Sequence, residues 1–139
     1  MGKIKVNIEI ANYSDEILAK NNVISYKKVR KILVNDVLVD TEATTLCLPK
    51  NILEQLGVIK LRKVVVNTTT GDYVSLIYGD VKLSLLGRSS VIECIELPAG
   101  RTPLLGVIPM EIMGLEVDVV KHKLKLLPDF DAGTYLLAL

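Results

Sequence analysis

The sequence is poor in aromatic residues: its 139 residues include five Tyr, one Phe and no Trp. Half of the residues are nevertheless apolar, so the core has to be built mainly from Val, Ile and Leu. A chain of this length and apolar content forms one domain with a sizeable core. Because β-branched residues favour strands, the composition predicts a mainly β fold. We expect a single domain spanning residues 1–139.

Long apolar runs are also missing. No stretch approaches the roughly 18 uncharged apolar residues of a membrane span. Residues 1–8 alternate between polar and apolar types, whereas a signal peptide has a continuous apolar segment. Gly2 has no Ser or Thr at position 6, which argues against N-myristoylation. We therefore expect a cytoplasmic protein with no membrane partner.

Neither sign of charge is in excess. Seventeen Lys and Arg residues against sixteen Asp and Glu residues leave a formal net charge of +1. No face carries a basic stripe interleaved with aromatic residues, which nucleic-acid binding would favour. Nucleic acid is therefore not an expected partner.

Cysteine and histidine are too few and too scattered for a metal site. Cys47 and Cys94 lie far apart in apolar surroundings, which is typical of buried free thiols. A catalytic cysteine paired with His122 is the alternative. The setting of that histidine, between Lys121 and Lys123, favours an exposed turn instead. We predict no metal and no cofactor.

Alternating apolar residues predict a series of strands. Residues 12–15 should break the first strand, a polar connection should reach residue 25, and residues 35–36 should form a turn. Pro at the start and Gly at the end favour a short helix over residues 49–56. A second short helix is predicted over residues 109–113. The predicted strands cover residues 3–10, 26–34, 37–40, 61–66, 73–86, 88–97, 103–105, 115–120 and 124–127.

The most informative segment is residues 37–45, where three apolar strand residues lead directly into Asp40 and a run of small hydroxyl residues follows. A lone buried carboxylate is costly. Asp40 should therefore leave the core, either as an Asx-type turn or as an exposed reactive group. The tripeptide alone favours the turn, and the surrounding segments favour the reactive group.

These surrounding segments occur in a recognisable order. Asp40, Thr41 and Ala43 are followed by Leu48-Pro49, then by Leu104-Leu105-Gly106, and finally by Val117-Asp118. This order resembles the retropepsin-like (retroviral-type, clan AA) aspartic proteases, including their bacterial and archaeal branch. The resemblance implies a closed β-barrel of the acid-protease fold with one or two short helices, a core over residues 3–127 and a homodimer.

The resemblance also implies roles for particular residues. Asp40 would be the catalytic acid, paired with Asp40 of a second copy, and the substrate would be a peptide or an unfolded protein. Thr41 would bond across the dimer axis, and Ala43 matches the family's small residue. The predicted flap, which would cover the peptide, consists of Thr69, Thr70, Gly71, Asp72 and Tyr73, and its Gly71-Asp72 pair is typical of a hairpin turn. Leu104, Leu105 and Gly106 would form a loop supporting the acid-bearing segment.

Glu42 departs from the family's Asp-Thr/Ser-Gly triplet. Glycine at this position would let the backbone approach the substrate closely, whereas glutamate adds bulk and charge. Two Asp40 and two Glu42 side chains in one dimer would resist ionising together. We expect an aspartic endopeptidase whose activity is reduced or lost. The alternatives are a silent peptide-binding module of the same fold and a dimerisation domain without a groove.

The last segment, residues 128–139, ends in Leu136-Leu137-Ala138-Leu139. Such a run is too apolar for a freely solvated end, and a partner surface could cover it. A second copy of the chain is the partner we expect.

Overall fold

A computed structural model of the protein describes residues 3–127. Within this range it contains nine strands, three short α-helices and one 3-10 helix. In chain order they are β1 (Lys5–Asn12), α1 (Tyr13–Lys20), the 3-10 helix (Tyr26–Lys28), β2 (Lys31–Val39), β3 (Leu46–Pro49), α2 (Lys50–Leu56), β4 (Ile59–Thr68), β5 (Gly71–Leu85), β6 (Arg88–Leu97), β7 (Leu104–Leu105), α3 (Val107–Ile112), β8 (Leu115–Asp118) and β9 (Lys123–Leu126).

Seven of the strands form one sheet in the order β1-β2-β7-β3-β6-β5-β4, and β1 also pairs with β5. The extra pairing closes six strands into a barrel and leaves β4 outside it, paired with β5. Closure satisfies the backbone groups that an open sheet would leave at its edges. The predicted mainly β, closed-barrel architecture is confirmed.

The core fills the barrel with aliphatic side chains, as the composition predicts. In β1 the alternation places Ile8 and Ile10 inside, 1% and 0% exposed. Helix α2 adds Leu53 and Leu56, both fully buried, and ends at Gly57 with a left-handed φ of 75°. The prediction of a helix over residues 49–56 that ends at this glycine is confirmed.

Residues 35–36 do not form the predicted turn, because β2 continues through them as a β-bulge. Val34 and Val37 are three positions apart in β2, whereas their partners in β1, Ile8 and Val6, are only two positions apart. Asp36 takes up the extra residue with a left-handed φ of 57°. As a result Val34 and Val37 both point into the core, 5% and 0% exposed.

The predicted polar connection to residue 25 is wrong in its first half, which forms α1. The Asn12 side chain accepts a hydrogen bond from the backbone N–H of Asp15 at 3.0 Å and so caps the helix. Its amide nitrogen donates to the Leu56 carbonyl at 3.1 Å. Asp15 is 6% exposed. Its carboxylate accepts hydrogen bonds from Nε and Nη2 of Arg30 at 2.7 and 2.9 Å. Long-range bonds therefore hold this helix in place.

The last described elements are α3 and the β8–β9 hairpin. The predicted short helix and final hairpin are confirmed, although α3 begins two residues earlier than expected and β8 ends at Asp118, so that residues 119–120 belong to the turn and not to the predicted strand. Within residues 3–127 no helix has the length and apolar character needed to cross a bilayer. The apolar segment 128–139 lies outside the described residues.

Candidate active site

Strand β2 delivers Asp40 to one end of the barrel. Leu38 and Val39 pair in parallel with Leu104 and Leu105 of β7. The Asp40 N–H then donates to the Leu105 carbonyl at 2.9 Å, which is the last bond of this ladder. Since the chain turns away immediately afterwards, the half-buried Asp40 lies where the apolar strand ends.

The loop that follows, residues 40–45 between β2 and β3, is the acid loop, and it turns around the Asp40 side chain. Its Oδ1 accepts the Glu42 N–H at 2.9 Å, and its carbonyl accepts the Ala43 N–H at 3.1 Å. The Asx-type turn is therefore present, and it uses one carboxylate oxygen. Among residues 3–127 no hydrogen bond occupies Oδ2 of Asp40. An anchored Oδ1 and an open Oδ2 suit a carboxylate that works on a bound molecule.

The predicted supporting segment lies directly beneath this loop. Val107 N–H donates to the Ala43 carbonyl and Ile108 N–H to the Thr44 carbonyl, both at 2.8 Å. A Cβ added at Gly106 would lie 2.5 Å from the Ala43 carbonyl oxygen and 2.6 Å from the backbone N and O of Thr45. Only glycine fits here, because backbone atoms cannot yield as a flexible side chain can.

Thr41 and Glu42 are both exposed on the surface of the loop. Glu42 does not have a positive φ, so the backbone here does not require the conformational freedom of glycine. The effect of this residue is therefore limited to its bulk and its charge, which lie beside Asp40.

The predicted flap is the far end of the β4–β5 hairpin. Thr68 pairs with Gly71 and Asn67 with Asp72, so the two-residue turn is Thr69-Thr70. The prediction that the Gly-Asp pair forms this turn is wrong, because Gly71 is the first residue of β5. Its φ of +123° suits glycine at the point where the chain re-enters the strand. Tyr73 follows, 38% exposed.

A cleft of about 1450 Å³ lies between the acid loop and this hairpin. The β4–β5 hairpin, the neighbouring strand β6, the acid loop and α3 all contribute residues to its lining. The lining includes Asp40, Glu42, Ala43, Val64, Val66, Tyr73, Ile77, Ile95, Leu97, Ile108 and Ile112. Of the predicted site residues, the cleft brings together Asp40, Glu42, Ala43, Thr69, Thr70, Tyr73 and Leu104. Thr41, Gly71, Asp72, Leu105 and Gly106 are not among its lining residues.

Sequence reasoning missed a charged pair in the wall of the cleft. Nη2 and Nη1 of Arg62 donate to the two carboxylate oxygens of Glu93 at 2.7 and 3.1 Å. The Arg62 hydrogen bonds hold the pKa of Glu93 below its usual range. The two residues are 31 positions apart on different strands, and no local pattern links them.

The two cysteines are free, as predicted. Cys47 borders the cleft, and burial, with a smaller contribution from the negative charge of Asp40, raises the pKa of its thiol to about 11. Burial likewise raises the pKa of Cys94. His122 lies in the exposed turn between β8 and β9, on different elements from Cys47. The arrangement does not support a cysteine nucleophile activated by this histidine.

No protein-family model matches the sequence, and no curated protein matches it. Solved structures do match. EIAV protease complexed with the inhibitor HBY-793 superimposes with a TM-score of 0.55 at 15% sequence identity. The match covers 85% of this chain and 94% of that chain. The described part of the chain therefore has the retropepsin-like fold.

Proposed function

We propose that the chain is a retropepsin-like aspartic endopeptidase, of the bacterial and archaeal branch, that works as a homodimer of single domains. The observation that carries the proposal is the position of Asp40. It is held by the Leu105 carbonyl and by its own Asx-type turn, and it lines the cleft to which the β4–β5 hairpin also contributes residues.

The reaction needs two carboxyl groups that share one proton. One carboxylate takes a proton from a water molecule, whose oxygen attacks the peptide carbonyl carbon. The other, protonated, carboxyl group donates its proton to the carbonyl oxygen. When the tetrahedral intermediate collapses, the C–N bond breaks and the leaving nitrogen takes the proton that the first carboxyl group had received from water. A hydroxyl of the intermediate returns a proton to the second carboxylate as the new carbonyl forms. Asp40 of each protomer would supply one carboxyl group.

A second copy is needed because the described chain presents one acid loop. A twofold axis passing beside the loop would bring two Asp40 side chains together. The exposed Thr41 is free to bond across such an axis. Residues 69–73 of each copy would then cover an extended peptide and exclude water.

Glu42 favours a specific second candidate, a dimeric peptide-binding module without catalysis. Its exposed carboxylate follows Asp40 by two residues, and a dimer would bring four carboxylates to one site. A proton shared between the two Asp40 side chains could then instead be shared between Asp40 and Glu42. The cleft and its apolar walls would remain able to bind a peptide.

Cleavage of reduced and alkylated casein between about pH 3 and pH 8, where carboxylates and their shifted relatives titrate, tests the proposal. Four proteins are compared: the parent, Asp40→Asn, Glu42→Gly and Asp36→Asn. Asp40→Asn is chosen because an amide oxygen can still accept the Glu42 N–H and preserve the turn. Asp36→Asn is the matched control, because Asp36 lies on β2, the strand that ends just before Asp40, and its exposed side chain makes no described hydrogen bond.

Cleavage by the parent and by Asp36→Asn that Asp40→Asn abolishes is the expected result. If only Glu42→Gly cleaves casein, then Glu42 causes the inactivity of the parent, and the parent is better described as a binding module. No cleavage by any of the four proteins, with casein still bound in a fluorescence anisotropy titration, would refute the endopeptidase. A monomer in sedimentation at micromolar concentration would refute the shared-proton mechanism.

A further inference from the structure

The Arg62–Glu93 pair is bidentate. Nη2 of Arg62 donates to Oε1 of Glu93 at 2.7 Å, and Nη1 donates to Oε2 at 3.1 Å. Such two-point pairing restricts the orientation of both side chains, whereas a single contact does not. Both side chains are about half exposed, 56% for Arg62 and 43% for Glu93.

The pair joins two strands that are not neighbours. Arg62 lies on β4 and Glu93 on β6, and β5 runs between these strands. Arg62 is in register with Ile77 of β5, which is in register with Ile95 of β6. The side chains therefore cross over β5 on the face that lines the cleft. This matters because the backbone of β4 pairs with β5 alone.

Glu93 is also tied to the acid loop. Its carbonyl accepts the Thr45 Oγ1 hydroxyl at 3.0 Å, and Thr45 packs against Gly106 beneath the loop. One residue therefore contacts the base of the acid loop through its backbone and the β4–β5 hairpin through its side chain.

Building on the peptide cleft proposed above, we propose that Arg62 and Glu93 are positioning residues that hold the β4–β5 hairpin over the acid loop. They contact neither Asp40 nor the reacting bond. Their effect is on the opening of the hairpin, which decides whether a peptide can enter and whether water is excluded once it has entered.

Because the pair is half exposed, it shifts the balance between the open and closed hairpin only slightly. A half-exposed ion pair shifts an equilibrium by only about two- to five-fold, which suits a hairpin that has to open again. A peptide lying in the cleft would displace water from the pair, and the attraction between the charges grows as the local dielectric constant falls. Occupancy of the cleft should therefore favour the closed hairpin.

Hydrogen–deuterium exchange on the peptide-free protein tests the proposal. The amides compared are those of residues 63–68 and 71–77, which carry the hairpin ladder, with residues 8 and 10 of β1 as the core reference. Arg62→Gln and Glu93→Gln should each speed hairpin exchange about two- to five-fold and leave the core unchanged. Arg62→Glu should speed it further, and adding Glu93→Arg should restore the parent rate.

The control is Lys125→Gln. It removes a similarly exposed cross-strand pair with Glu116, at 3.1 Å and 48% exposure on both sides, in the β8–β9 hairpin away from the cleft. Parent-like exchange in Arg62→Gln and Glu93→Gln would overturn the proposal. So would faster exchange that spreads equally to the core, or a charge-swapped protein that is no slower than Arg62→Glu.

A second arm separates this proposal from the proposed function. In the Asp40→Asn background, an excess of reduced and alkylated casein peptides should slow hairpin exchange, and it should do so less when Arg62→Gln is also present. If the peptides protect neither protein, the peptide-binding function fails. The positioning role is still decided, because the peptide-free comparison does not depend on it.

Discussion

Gly106 and Ala43 are in such close contact that a single added methyl group would separate them. The Cβ of any larger residue at position 106 would lie 2.5 Å from the Ala43 carbonyl oxygen. That carbonyl already accepts the Val107 N–H at 2.8 Å. The acid loop and the start of α3 are thus fitted against each other through backbone atoms.

Gly106→Ala should therefore displace the acid loop. We expect a loss of about 1–3 kcal/mol in the free energy of unfolding, as for other overpacked sites, and shifted amide resonances at Ala43, Thr45 and Val107. Gly100→Ala is the control, since nothing lies within 4 Å of a Cβ there, although its φ of +82° adds backbone strain. Unshifted acid-loop resonances in Gly106→Ala, measured by ¹⁵N NMR, would contradict the prediction.

The Asp15–Arg30 pair should make stability depend on pH. The Arg30 side-chain hydrogen bonds lower the pKa of Asp15 in the folded protein. A depressed folded-state pKa adds stability above the unfolded value, near 3.8, and this stability is lost as the pH falls through the lower folded-state value. Asp15→Asn should reduce the free energy of unfolding by about 1–2 kcal/mol at pH 7. Urea titrations at several pH values should show this difference shrinking below about pH 4. Parallel pH profiles for the two proteins would refute the assignment.

Arg88 should be essential for docking the last hairpin. Its Nη1 donates to the Met113 and Gly114 carbonyls at 2.8 Å, and its Nη2 donates to the Leu127 carbonyl at 2.9 Å. Arg88→Met should cost about 2–3 kcal/mol because three partly buried carbonyl acceptors lose a charged donor. Arg88→Lys should recover only part of this stability. Lysine keeps the positive charge, but its ammonium group cannot reproduce the planar two-nitrogen donor geometry of the guanidinium. Chemical denaturation measures both. A cost in Arg88→Met below about 0.5 kcal/mol, the usual effect of a surface change, would contradict this role.

The parts of the fold that could be predicted from the sequence depend on neighbours along the chain. The strand alternation of β1, the helix from Pro49 to Gly57 and the position of Asp40 at the end of an apolar strand all follow from short-range patterns. The closed barrel followed from the family resemblance, since closure depends on β1 pairing with both β2 and β5.

The parts that could not be predicted depend on contacts between distant residues. Helix α1 is held by Asn12, Asp15 and Arg30, although Asn12 followed three residues later by Asp15 was a capping signal that could have been used. The bulge at Asp36 is visible only against β1. The Arg62–Glu93 pair spans a strand that neither residue belongs to.

The Cys47 thiol should react slowly, and Asp40 should be part of the reason. Burial and, to a smaller extent, the charge of Asp40 raise its pKa to about 11, so only about one thiol in a thousand is ionised at pH 8. In a Cys94→Ala background, iodoacetamide should label Cys47 about 100-fold more slowly than a free thiol. Asp40→Asn removes a negative charge, so it should lower this pKa and speed labelling. Asp36→Asn should leave the rate unchanged. If Asp40→Asn leaves the labelling rate at the parent value while the unfolding free energy is also unchanged, then the charge of Asp40 does not act on the Cys47 thiol.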